Sequence, residues 1–455
     1  MLVLEELRRE LGDALITDAA ALDALRADKS GQRSGSAPLA LVEAREVAHV
    51  QAALRWASAH GVPVVPRGAG TGLAGGAIAQ QGELVVSTER MTRILEIDAA
   101  DELAVVEAGV INAELNAALA PHGLWWAPDP ASRAISTVGG NIATNAGGLM
   151  CVKYGVTREA VLGLTVVLAD GRVLELGRRT VKGVTGYDLT ALFIGSEGTL
   201  GVIVAATLRL RPLERGGVTT ISAAFPDVDS AARAASAITA AGVRPAALEL
   251  LDAPSLEAIG ELLGLPLGGR GAQLLIQTDG PGAASEADAV VATVVQHGGQ
   301  AERAADAEEG ERLFAIRRAF HPAMERRGRV LIEDVSVPRS ALAEMFAAIA
   351  RIEAAHGIPI PTVAHAGDGN LHPNFVFEPD PADPLAVPDA VWIAADELFR
   401  EALRLGGTLT GEHGVGLLKR RWLQEELGED AYALQRQLKA VFDPQGILNP
   451  GKMFS

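Results

Sequence analysis

The chain holds a single cysteine, Cys151, among 455 residues. That excludes a disulfide framework and any cysteine-ligated iron–sulfur cluster. Positive charge is in deficit: 40 Lys and Arg stand against 57 Asp and Glu, a formal net charge of −17. This argues against a nucleic acid backbone or an anionic membrane surface as the main partner. No apolar run approaches the ~20 residues that span a bilayer, so no transmembrane segment is expected. Met1 is followed at once by Leu2-Val3-Leu4-Glu5-Glu6. It has neither the basic start nor the long apolar core of a secretory signal, and the expectation is a soluble protein in a cytoplasmic, reducing compartment. What the chain has in excess is glycine. Fifty glycines in 455 residues are about 11%, against a usual ~7%, and they follow no three-residue period.

At this length two or three domains are expected. Residues 1–36 read as short helices leading to a polar hinge at Ser30-Gly31-Gln32-Arg33-Ser34-Gly35-Ser36. An amphipathic helix runs from Val47 through Leu54 to Ala57 and stops at Gly61. Strands are expected at 62–66, 83–88, 94–98 and 103–108. A helix over 111–122, with Asn112 as cap, ends at Gly123. Residues 161–176 read as a hairpin turning at Asp170-Gly171. After Arg211-Pro212 the texture changes to Ala-rich helices near 228–242, 285–298, 340–356 and 390–405, separated by single strands. This marks a second α+β domain from about 215. Residues 378–388 form a Pro/Asp-rich surface loop.

The glycines gather in three segments. The first, Arg67-Gly68-Ala69-Gly70-Thr71-Gly72-Leu73-Ala74-Gly75-Gly76, contains a formal G-x-G-x-x-G. A dinucleotide fingerprint needs a helix opening at its third glycine. Here a strand begins a few residues later, so the segment is either a helix-free nest of backbone N–H groups for a phosphate or a structural loop. The second segment, 128–148, is dense in small and hydrogen-bonding residues, as suits backbone lying close to a large planar ligand. It is too glycine-rich to be expected as a helix. The third, Gly195-Ser196-Glu197-Gly198-Thr199-Leu200-Gly201-Val202-Ile203, turns sharply into an apolar strand.

Together with Gly186-Tyr187-Asp188-Leu189, these segments resemble the FAD-linked oxidases of the vanillyl-alcohol oxidase (PCMH-type) superfamily. The resemblance is to the branch of D-lactate dehydrogenase, the D subunit of glycolate oxidase and D-2-hydroxyglutarate dehydrogenase, and it runs from about residue 37 to the C-terminus. It implies an α+β chain in three parts: a helical N-terminal segment (1–36), a two-subdomain PCMH-type FAD-binding domain (37–214), and a C-terminal FAD-linked oxidase domain (215–455) on a ferredoxin-like antiparallel sheet. It also implies that FAD lies against Pro66, Arg67, Gly68, Ala69, Gly70, Thr71 and Gly72 of the first segment. The second segment adds Pro128, Asp129, Ser132, Thr137, Gly139, Gly140, Asn141, Thr144, Asn145, Gly147 and Gly148. Glu197, Gly198, Gly201 and Ile203 follow in the third, and Asn449 in the C-terminal tail. By composition alone that tail is only rich in Pro and Gly. No histidine lies between Gly61 and Pro121, so noncovalent FAD is expected.

A second constellation lies at Thr362-Val363-Ala364-His365-Ala366-Gly367-Asp368-Gly369-Asn370-Leu371-His372-Pro373-Asn374-Phe375. If Asp368-Gly369 is a two-residue hairpin loop, His365 and His372 form a direct cross-strand pair about 4.5–5.5 Å apart at Cβ. That spacing suits two imidazoles on one metal ion, with Glu412 of Thr410-Gly411-Glu412-His413-Gly414 as third ligand. The bland reading is two hairpin histidines and a surface glutamate.

The resemblance assigns the metal, zinc or manganese, to His365, His372 and Glu412, places Asn374 nearby, and makes His413 the catalytic base. It makes Arg317 the group that takes the substrate carboxylate, although by sequence Arg317 also reads as a solvated helix arginine beside Arg318. His321 is a further candidate at the substrate. Leu331-Ile332-Glu333-Asp334 disfavours a second substrate carboxylate. The expected reaction is oxidation of glycolate or D-lactate; D-2-hydroxyglutarate oxidation, or a non-catalytic flavin subunit, is the alternative. Electrons would leave through the flavin to oxygen, a quinone, a cytochrome or iron–sulfur subunit, or an electron-transfer flavoprotein. The chain would act as a homodimer or a complex subunit, in the cytoplasm or peripherally at the inner membrane.

Overall fold

The computed structural model describes residues 2–383 and 385–454, so Pro384 of the loop at 378–388 lies outside the described residues. The chain divides into two compact units. One contains residues 1–147, 155–213 and 412–455; the other contains 148–154 and 214–411. The division near 214 is where the texture of the sequence changes. The residues from Glu412 onward pack with the first unit.

The described residues of the first unit form two large sheets and a two-stranded one, Leu124–Trp125 with Arg211–Pro212. Leu15–Ile16, Ala40–Glu43, Leu84–Ser87 and Val64–Arg67 form a four-stranded sheet in that order. Leu84–Ser87 runs parallel to both of its neighbours. The helix Val47–His60 ends at Gly61 in the left-handed conformation, as the sequence predicts. It buries Val50, Ala53, Leu54 and Ala57 against Val42, Val64 and Val86. The edge strand Val64–Arg67 is closed off by the C-terminal tail: Val64 N–H donates to Ile447 O at 2.7 Å, and Asn449 N–H to Val64 O at 2.7 Å. An exposed row of unpaired backbone groups is thereby removed.

The second sheet is five-stranded and antiparallel, ordered Ile94–Asp98, Leu103–Glu107, Val202–Arg209, Val161–Val167, Val173–Gly177. The hairpin at 161–176 forms, with Asp170-Gly171 inside a loop closed from Leu168 to Arg172. Trp126, Ile142, Phe193 and Leu208 fill its core. The helix expected at 111–122 runs Asn112–Leu119 and continues as a 3₁₀ turn to Gly123. Its cap position is Ile111, not Asn112. Asn112 is fully buried, and its amide instead donates to Pro128 O at 3.0 Å and Asn141 Oδ1 at 3.1 Å.

The second unit is one eight-stranded sheet in the order Gln300–Arg303, Gly217–Phe225, Ala272–Gly280, Ala247–Asp252, Thr362–His365, Asn370–Phe377, Arg329–Ile332, with Val335–Ser336 also on Asn370–Phe377. Every pairing within it is antiparallel. The Ala-rich helices form at Val228–Ala240, Ala283–Gln296, Leu342–His356 and Asp389–Arg404. Asp227 caps the first by accepting from Ser230 N–H at 2.7 Å. Ala231, Ala232, Ala234 and Ala235 are fully buried, small side chains that bring a backbone close to its neighbours. No helix among the described residues is long and apolar enough to cross a membrane.

Asp252 closes the strand Ala247–Asp252 and caps the helix Ala253–Leu263. It accepts from Ser255 N–H at 2.9 Å and from Thr362 N–H on the next strand at 2.8 Å. Burial pushes its carboxyl up to about 7 despite those bonds. Between about pH 4 and pH 7 the native state keeps a proton that the unfolded chain has lost, so this residue makes stability fall as pH rises through that window. Asp252→Asn stays neutral throughout. Its unfolding free energy relative to wild type should improve by on the order of 2–4 kcal/mol from pH 4 to pH 7. Denaturant melts at several pH values check this, and a difference that does not change with pH overturns it.

Candidate active site

The three glycine segments meet inside the first unit. A Cβ on Gly68 would lie 2.5 Å from Thr137 Oγ1, and one on Gly198 would lie 3.0 Å from Pro66 Cγ. Only residues without a side chain allow the first segment to pass this close to the second and third. From Gly68 to Glu83 the chain forms no helix, so the segment is not a dinucleotide-type turn. Within it, Arg67 donates to Ala77 O at 2.6 Å and to Ala27 O at 3.1 Å. Its guanidinium braces the loop on which Ala69, Gly70, Thr71 and Gly72 sit. Burial lowers its pKa, against the pull of Asp28 and Glu89.

The second segment does contain a short helix, Val138–Thr144, against the expectation of none. Thr137 caps it through Gly140 N–H at 3.2 Å, and Thr144 Oγ1 donates to Gly140 O at 3.1 Å. Gly139 rests on Ala108, where a Cβ would lie 2.6 Å from the alanine Cβ. Asn141 donates to Ser136 Oγ at 3.1 Å. Asn145 ends the helix in the left-handed conformation at φ 50°. Ser132 O accepts from Ile135 and Ser136 N–H, and Asp129 is buried with Arg133 at 3.9 Å. Gly147 lies against Glu412, whereas Gly148 belongs to the other unit.

In the third segment Gly201 packs on Val166 and Phe193, and Ile203 lies in the core of the five-stranded sheet. Glu197 is buried at φ 52°, and its two oxygens accept from Val415 N–H at 2.7 Å and Gly416 N–H at 2.8 Å. This carboxylate is committed to holding the loop that carries Glu412 and His413. Burial raises its pKa, while the two N–H groups and Lys419 oppose the rise. Asn449 completes the cradle, donating to Gly76 O at 3.0 Å and Glu197 O at 2.8 Å. The tail that looked featureless by composition thus ties the first segment to the third. Glu412 Oε1 lies 3.7 Å from His413 Nε2, and both side chains are largely covered.

The second unit carries the histidines. The hairpin register differs from the sequence expectation: His365 lies opposite Asn370, and His372 opposite Val363. The loop has four residues, 366–369, because the N–H groups of both Asp368 and Gly369 close on His365 O, at 3.2 and 3.1 Å. Gly369, at φ 91°, also passes so close to Val337 O that a Cβ would lie 2.1 Å from it. The two histidines are therefore diagonal, not directly paired. They still share one face of the sheet, with ring centroids 5.0 Å apart and planes at 84°.

Glu249, directly opposite His365 on the next strand, is fully buried. His365 Nδ1 lies 2.7 Å from its Oε1, and Arg317 Nε donates to its Oε2 at 2.8 Å. Burial by itself would raise the Glu249 pKa, but the charges and hydrogen bonds of His365 and Arg317 win and hold it below its usual value. Arg317 is thus not a solvated helix arginine. Asn374 donates to His372 O at 2.9 Å, while its Oδ1 is buried without a partner among the described residues. His321 is exposed and faces Glu325 of its own helix at 3.3 Å. Sequence reading missed Glu249. Its signal was a lone acid in Ala247-Leu248-Glu249-Leu250-Leu251, a strand buried along its whole length.

The sequence matches the family described as FAD linked oxidases, C-terminal domain, over residues 217–453, and the FAD binding domain over residues 38–177. Among curated relatives it is 42% identical to the glycolate oxidase subunit GlcD of Bacillus subtilis, covering 92% of this chain and 90% of that one. It is 38% identical to the D-lactate dehydrogenase of Archaeoglobus fulgidus, covering 89% and 88%. The crystal structure of p-cresol methylhydroxylase shares the fold, with a TM-score of 0.80 at 18% identity, over 99% of this chain and 96% of that one.

Replacing Glu197 by Gln turns an amide nitrogen toward the N–H of Val415 or Gly416 and leaves one buried donor unmet. The expected cost is about 1–3 kcal/mol of unfolding free energy, read from urea melts; a loss below about 0.5 kcal/mol refutes the role given to this carboxylate.

Proposed function

The chain belongs to the FAD-linked oxidase family, and from that premise we propose that it is a FAD- and metal-dependent dehydrogenase of small D-2-hydroxy acids, glycolate or D-lactate. One observation carries the reading. On one buried sheet face a diagonal pair of histidines stands beside a carboxylate, Glu249, which meets one of them, His365, and Arg317 from the helix Ala307–Arg318. Two neighbouring imidazoles are metal-ligand chemistry, and a guanidinium is carboxylate-binding chemistry. A 2-hydroxy acid offers groups for both.

The glycine cradle of Gly68, Thr137, Gly139, Gly140 and Gly198, closed by Asn449, suits a large planar cofactor, and FAD held there supplies the acceptor for the Cα hydride. His365, His372 and Glu412 are the proposed ligands of a divalent zinc or manganese ion, which supplies the Lewis acidity that lowers the hydroxyl pKa. With Nε on Glu249, Arg317 keeps Nη1 and Nη2 for the substrate carboxylate; neither has a partner among the described residues. Asn374 presents its buried carbonyl oxygen beside His372. His413 takes the hydroxyl proton, a role suited to an imidazole with an unperturbed pKa of ~6.5. Loss of that proton and of the Cα hydride converts the 2-hydroxy acid to the 2-oxo acid.

Ile332 lies opposite Asn374 on the neighbouring strand, followed by the fully buried Glu333 and Asp334. An apolar side chain and two acids there favour a substrate with one carboxylate. With a single cysteine in the chain, the acceptor that reoxidises the flavin is oxygen, a quinone or a separate redox protein.

Purified yellow protein, mixed anaerobically with D-lactate or glycolate, should bleach. A chelator should abolish bleaching, and Zn²⁺ or Mn²⁺ should restore it. His413→Ala should keep the bound-flavin spectrum and slow bleaching by roughly 10²–10⁴-fold. Metal-replete protein that bleaches with no 2-hydroxy acid sinks the proposal and leaves a flavin-binding subunit.

A further inference from the structure

We propose that Glu249 is a positioning residue that fixes a metal-ligand histidine and the substrate arginine with one carboxylate. The inference rests on the function proposed above. Glu249 is fully buried in a strand whose other members are almost all apolar. A carboxylate there is costly to bury, and it is tolerated only where both oxygens meet strong donors. Both do, and each donor belongs to a different part of the proposed chemistry. Oε1 meets His365 Nδ1 at 2.7 Å, and Oε2 accepts from Arg317 Nε at 2.8 Å.

The consequence for His365 is tautomeric. An ionised carboxylate only accepts, so the proton sits on Nδ1, and Nε2 is the nitrogen with a lone pair for a metal. Carboxylate–histidine pairs of this kind orient the ring and raise its basicity as a ligand. The consequence for Arg317 is rotational. Its side chain reaches Glu249 from the last turn of the helix Ala307–Arg318, and anchoring Nε leaves the two terminal nitrogens as a fork of set orientation. His365 cannot be released from Glu249 without also disturbing Arg317, since a single rotamer of Glu249 serves both.

Glu249→Gln separates positioning from simple charge balance. The amide keeps one acceptor oxygen and turns N–H groups toward the other partner, so either the Arg317 contact fails or His365 takes the tautomer that puts the proton on Nε2. On purified holoenzyme, with Zn²⁺ as the probe in a competition with a chelating dye, metal affinity should fall 10–100-fold. The KM for glycolate or D-lactate should rise as well. Glu249→Asp keeps the charge and should recover part of both losses. A residue that only balances charge would lower the melting temperature and leave Zn²⁺ affinity per folded molecule untouched. Folded Glu249→Gln protein with wild-type Zn²⁺ affinity and KM therefore overturns the inference. If that variant does not fold, Glu249→Asp is read alone, and wild-type values for it have the same force. A wild-type protein that takes up no metal overturns the function proposed above and this inference with it. Wild-type uptake beside an indifferent Glu249 variant overturns this inference alone.

Discussion

A carboxylate taken out of water has to be met by donors, and the placing of those donors organises each of the two units. In the first unit the carboxylate is Glu197, held by the N–H groups of Val415 and Gly416. In the second it is Glu249, held by His365 and Arg317. Neither could be swapped for an apolar residue without freeing the group it holds. One fixes the loop of Glu412 and His413. The other fixes a histidine of the sheet and an arginine of the helix Ala307–Arg318. The candidate side chains on strand, helix end and loop are held in place by these two buried acids.

Around these anchors the packing relies on small residues. Gly68, Gly139 and Gly198 let three stretches of chain lie backbone to side chain, at distances a Cβ would close. The C-terminal tail reinforces the same region: Ile447 and Leu448 are buried, and Asn449 joins Gly76 to Glu197. In the second unit the small residues are alanines on the helix faces, while the sheet supplies Leu251, Leu275 and Val363 to the core. The same sheet carries Glu249, His365, Asn370, His372 and Asn374 as neighbouring buried polar residues. This concentrates charge and hydrogen bonding at one place in an apolar interior, where each interaction is stronger than it would be in water.

Local signals were legible in the chain. The Ala-rich helices, the hairpin at 161–176 and the stop at Gly61 depend on propensity, capping and periodicity, which are properties of short stretches. So does the exclusion of a dinucleotide turn, because the distance from Gly76 to the next strand is a matter of counting. The hairpin of His365 and His372 shows where such reasoning stops. Its Asp-Gly pair suggested a two-residue loop, but a close approach to Val337, from another part of the chain, accompanies a loop of four. Because side chains alternate with period two, a shift of two residues in the pairing sum kept both histidines on one face and changed only who stands opposite whom.

By itself, the sequence determined that the chain changes texture near residue 215, with glycine-rich loops first and Ala-rich helices on strands after. It also determined which histidines, acids and glycines could do chemistry, because residue type and spacing are written in it directly. Tertiary structure alone decided which of them have that freedom. Arg317 and Arg318 are neighbours of the same type, yet only Arg317 meets Glu249, 68 residues away in the chain. Glu197 accepts from a backbone N–H 218 residues distant, which no local pattern announces. Contacts of that separation depend on how strands register and helices dock, and no short window of sequence contains them.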